Sequence, residues 1–133
     1  MTPTPRTKEA ANSRWHDAEE LKWAARHWAV RMSVKMPQIH VRRMRSKWAS
    51  MSTAGRLTLN ADLIEIPREL GDYVIVHELV HILAPNHGKL FKSFMFAYMP
   101  DWEARERRLR ASGNVKVTRI RYRRSKKEQS SKN

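Results

Sequence analysis

Tyr73-Val74-Ile75-Val76-His77-Glu78-Leu79-Val80-His81-Ile82-Leu83 forms the most apolar helical pattern in a 133-residue chain whose mean hydropathy is −0.73. Apolar residues surround it nearly all the way round, so the segment predicts a central, buried helix rather than a surface one. Pro67 upstream suits the first turn of such a helix, where its missing N–H costs nothing, and Pro85 ends it. Two histidines and a glutamate interrupt the apolar run. His77 and His81, at i and i+4, lie one turn apart on one face, so both imidazoles can reach a single ion. Glu78 points about 100° round from His77, close enough for a water on that ion rather than for the ion itself. Without such a shared partner, burying these three groups would be costly.

A third histidine, His87, follows His81 by six positions and lies just past Pro85, where the chain can fold back onto the helix. Three neutral imidazoles and one water make a tetrahedral zinc with an open position, as a catalytic centre requires. The chain has no cysteine, which excludes disulfides, thiolate zinc sites, iron–sulfur ligation and a Cys nucleophile. The expected metal ligands are therefore His77, His81 and His87, and the expected catalytic base is Glu78, within an HExxH motif. The spacing is similar to the metzincin pattern H-E-x-x-H-x-x-G-x-x-H, but Ala84 stands where that pattern has Gly, and no Met-turn is assignable. His16, His27 and His40 sit at no ligand spacing. Tyr73, Tyr98, Lys47 and Arg105 are candidates by residue type for stabilising an oxyanion.

Outward from this helix, Lys8 to about Met32 predicts an amphipathic helix, with Trp15, Ala18, Leu21, Ala25, Trp28 and Met32 drawing one apolar stripe. Gln38 to Met44 alternates as a strand. Ala54-Gly55 supplies a turn, and Arg56 to Asn60 reads as the returning strand of an antiparallel pair, with Ser46 to Ser52 offering a further short strand. Gly88 to about Met99 and Asp101 to Ser112 predict two more helices, separated by Pro100. The length is one domain's worth, read as residues 1–113 with an N-terminal helical segment 1–36 and a core 37–113.

The core resembles the YgjP-like metallopeptidases, relatives of the SprT-like proteases. The matching segments are Ile39-His40-Val41-Arg42-Arg43-Met44-Arg45-Ser46-Lys47-Trp48, Gly55-Arg56-Leu57-Thr58-Leu59-Asn60, Tyr73 to His81, Pro85-Asn86-His87 and Met99-Pro100-Asp101-Trp102. The resemblance implies an α+β minimal zincin fold with a small antiparallel sheet beside the active-site helix. It also implies zinc on His77, His81 and His87, with Glu78 catalytic. One departure is visible: Ala49-Ser50-Met51-Ser52 stands where the family commonly reads Gly-Ser-Cys-Ser.

Twenty-seven Lys and Arg against 13 Asp and Glu give a net charge of +14, a balance that favours polyanions. Half of that excess lies in residues 114–133, a basic tail with eight Lys or Arg and one acid. Arg119, Arg121, Arg123, Arg124, Lys126 and Lys127 are the candidate nucleic-acid contacts; the alternative is a solvated cationic end. SprT-like proteases as a group are linked to DNA and to proteins attached to it. The N-terminal residues show no apolar signal region and no run is long enough to span a bilayer, so the expectation is a cytoplasmic monomer with no membrane partner. The function expected is zinc-dependent hydrolysis of peptide bonds through a metal-activated water, on substrates that include nucleic-acid-associated proteins. The competing reading is a non-catalytic nucleic-acid-binding protein with a structural zinc. Glu78 speaks against it, because a purely structural site has no use for a base beside its ligands. The residues also fit a zinc hydrolase of a non-peptide amide or a nucleotide.

Overall fold

A computed structural model describes residues 13–112, which form four α-helices and a three-stranded sheet: an α+β fold of the minimal zincin type. Helix α1 spans Ala18–Arg31, β1 Gln38–Arg42, β2 Ala49–Met51 and β3 Arg56–Asn60. A 3-10 turn at Ala61–Glu65 leads into α2, Arg68–Leu83, followed by α3, Lys89–Tyr98, and α4, Trp102–Ala111. No helix among the described residues is long and apolar enough to cross a membrane.

Helix α1 starts later than its apolar spacing predicts. Asp17 caps it, its carboxylate accepting from Glu20 N–H, and residues 13–17 lie outside the helix; the predicted turns before Ser13 fall outside the described residues. The expected stripe is the one that packs, with Leu21, Ala25, Trp28 and Met32 buried. Trp28 donates its indole N–H to Asp72 at 3.0 Å, tying α1 to α2.

The sheet corrects one expectation. Its order is β1-β3-β2, and the Gln38–Arg42 strand pairs with Arg56–Asn60 in parallel, not antiparallel. The antiparallel partner of β3 is the short strand Ala49–Met51. The reason is the turn. Gly55, at φ +93°, closes the four-residue loop between β2 and β3, with Ser52 N–H bonded to the Arg56 carbonyl, so the reversal belongs to that hairpin. β1 then fills the other side of β3, leaving β2 at the edge beside α2.

Helix α2 is the centre of the core. All but one of Leu70 to His81 are buried, and α1, β2, α3 and α4 pack around it. Pro67 sits one position before its first residue, as its cap. Gly71 has a packing reason: a Cβ there would overlap the ring of Trp15.

Candidate metal centre

Helix α2 delivers His77, Glu78 and His81 to the interior: Glu78 is 0% exposed, His77 2% and His81 6%. The helix breaks after Leu83, Ala84 takes an extended conformation, and the turn through Pro85 brings His87 back against the two helical imidazoles. Ring centroids lie 4.9 Å apart for His77–His81, 5.3 Å for His77–His87 and 4.7 Å for His81–His87. One nitrogen of each ring lies within 4.8 Å of the others. The three predicted ligands thus meet at one point. Glu78 Oε2 stands 3.5 Å from His77 Nδ1, beside the triad and outside the ligand set.

The donor set fits zinc. Three neutral nitrogens with no thiolate suit a borderline metal in a site that keeps a fourth position open. Ligands at ~2.0–2.1 Å in tetrahedral geometry lie roughly 3.4 Å apart, to be compared with the 4.8 Å within which the three nitrogens lie here. A dication here would also offset the burial of the Glu78 carboxylate in the most apolar helix.

Phe91 is not marked as a site residue by its type, yet its ring packs on all three imidazoles, with centroids 5.3, 5.1 and 4.6 Å from His77, His81 and His87. Its signal in the sequence is its position four residues after His87, on the buried side of α3. Asn60, equally unmarked, is fully buried at the end of β3. Its side-chain NH2 donates to the carbonyls of Met44 at 2.9 Å and Lys47 at 2.7 Å, and its Oδ1 accepts from Asp62 N–H. This clamps the loop that feeds β2 and so fixes the sheet edge beside α2.

Among the oxyanion candidates, Tyr73, Tyr98 and Arg105 make hydrogen bonds within the chain. Tyr73 donates its hydroxyl to Glu106, Tyr98 to the Met32 carbonyl, and Arg105 donates to Asp101 and to the Glu69 carbonyl. Lys47, partly exposed in the loop before β2, is the fourth. His16, His27 and His40 lie outside the cluster, as expected. The basic candidates Arg119, Arg121, Arg123, Arg124, Lys126 and Lys127 lie outside the described residues.

A groove of about 630 Å³ opens beside the triad, with His81 in its wall. Its other walls come from the α1–β1 connection, the β2–β3 loop and the end of α2.

The chain is similar to jannalysin of Methanocaldococcus jannaschii, described as a metallopeptidase zymogen, with 26% identity and a TM-score of 0.63 over 69% of this chain and 95% of that one. Its fold is also shared with abylysin of Pyrococcus abyssi, at 20% identity and a TM-score of 0.61, covering 69% of this chain and 93% of that one. Among curated proteins none matches. The model of the YgjP-like metallopeptidase domain matches residues 3–112, and the chain belongs to the YgjP-like metallopeptidase family.

Proposed function

We propose that this protein is a zinc-dependent peptidase in which His77, His81 and His87 hold the metal and Glu78 is the general base. The observation that carries this reading is the convergence of three imidazoles on one point with a buried carboxylate alongside. Bound there, zinc would act as a Lewis acid on water and on a carbonyl. Glu78 accepts the proton of the attacking water and passes it to the leaving amine, so that one carboxylate serves both halves of the hydrolysis. Phe91 packs on all three imidazoles and holds them in place. The outer edge of β2 lies next to α2 and can take an extended substrate backbone as an added strand.

The test is metal content. Purified protein should bind about one zinc per chain, and His87→Ala should lose it or hold it far more weakly, since a third imidazole is being removed from a three-ligand site. Equal zinc affinity in His87→Ala would transfer the third position to another residue.

The net charge of +14 supports a substrate pool of nucleic-acid-associated proteins, with residues 114–133 as the phosphate-binding element. Three of the four arginines of α4 are engaged within the chain, and the fourth, Arg107, is exposed. Arg105 pairs with Asp101, Arg108 with Glu69 at 2.8 Å and Arg110 with Glu106 at 3.6 Å.

A further inference from the structure

His81 belongs both to the triad and to the wall of the neighbouring groove. Next to it on α2 stands Ile82, 40% exposed, and Met36 on the α1–β1 connection is 43% exposed. Both line the same groove, so two large apolar side chains held open to water face one cavity beside the candidate metal centre. Binding clefts combine apolar walls with a few polar groups, and here Gln38, Ser52 and Thr53 join Met36 and Ile82 in the lining. Pro37 and Pro85 stiffen the two chain segments that form its sides, and Met51, at the end of the edge strand β2, connects it to the surface proposed for the substrate backbone. Among the described residues of its lining, Lys35 carries a charge.

We infer that this groove is the specificity pocket of the peptidase and takes a large apolar side chain, of the Leu, Met or Phe class, from the residue beside the scissile bond. This deepens the peptidase reading and rests on it. Met36 and Ile82 supply the contact surface. Lys35 disfavours a basic residue at that position, since a second cation in the groove would be repelled by it. The volume of about 630 Å³ exceeds any single side chain, so the pocket selects for apolar bulk rather than for one residue type.

The test is digestion of a mixed-sequence peptide pool by the zinc-loaded full chain, with cut sites mapped by mass spectrometry. Expected is enrichment of Leu, Met and Phe, and depletion of Lys and Arg, at one fixed position next to the cut. Matched single peptides should show kcat/KM at least about 10-fold higher for Leu than for Ala there. Ile82→Asp and Met36→Asp, both at exposed positions, should lower the Leu-to-Ala ratio, and Lys35→Glu should relieve the exclusion of Lys. Zinc content and circular dichroism of each variant separate a changed pocket from a lost fold. Efficient cleavage with no enriched position, or ratios unmoved in all three folded variants, would overturn the pocket and leave the peptidase standing. No cleavage of the pool by the zinc-loaded protein would overturn both.

Discussion

At the scale of single residues, buried polar groups carry most of the information. Asp72 sits mostly buried against Trp28, and that burial pushes its carboxyl above the ordinary range, while the indole N–H and nearby arginines partly oppose the shift. With the folded pKa above the unfolded one, the native state takes up the proton first on acidification. Asp72 therefore favours the fold most at pH below its unfolded pKa, and this contribution is lost as pH rises through the folded value. Asp72→Asn keeps an oxygen to accept from Trp28 and removes the charge. It should raise Tm by a few degrees at pH 7, and the gain should shrink as the pH is lowered towards 3, followed by thermal melts across that range. A variant less stable than wild type at neutral pH would mean that the carboxylate, not its burial, is what the site uses. His77, His81 and Glu78 are legible in the sequence because their i, i+1, i+4 spacing conflicts with an otherwise apolar helix. Asn60 is not legible, because a buried asparagine is defined by the distant carbonyls it meets, and nothing local to Leu59-Asn60 announces them.

At the scale of elements, helices are easier to read than the sheet. The period of the apolar residues fixes the faces of α1 and α2, since each helix is defined by its own neighbours in sequence. Strand pairing is not local. Arg56–Asn60 has the same alternation whether β1 or β2 lies beside it in parallel or antiparallel, so the sequence marks the turn at Gly55 without saying which strand it returns to. The packing of α2 against the segment that precedes α1 offers a test at this scale. Gly71→Ala adds a methyl that would overlap the Trp15 ring, and overpacking of this kind costs typically 1–3 kcal/mol, against roughly 1 kcal/mol gained in helix propensity. Net destabilisation of about 1 kcal/mol is expected in urea unfolding. Gly88→Ala, where nothing among the described residues lies within 4 Å, should stay within about 0.5 kcal/mol of wild type.

For the whole molecule, the candidate site and much of the charge lie in different parts of the sequence. The candidate site lies inside residues 13–112, whereas half the excess positive charge lies in residues 114–133. Truncation after Gly113 should weaken binding to nucleic acid and flatten its salt dependence, by about 0.9 in log–log slope for each duplex phosphate that the shortened chain no longer neutralises. Peptide hydrolysis without nucleic acid should stay about the same. Unchanged affinity after truncation would remove the tail from any nucleic-acid role.

On the proposed mechanism, Glu78 does chemistry beside the metal rather than holding the metal. Glu78→Gln keeps the shape and the hydrogen-bonding reach of the side chain and deletes the base. The decisive measurement is kcat/KM for peptide hydrolysis by wild type and Glu78→Gln at equal, measured zinc occupancy. Expected are one zinc per chain in both and a loss of ~10²–10⁴ in rate for the variant. Equal rates at equal zinc would contradict that mechanism.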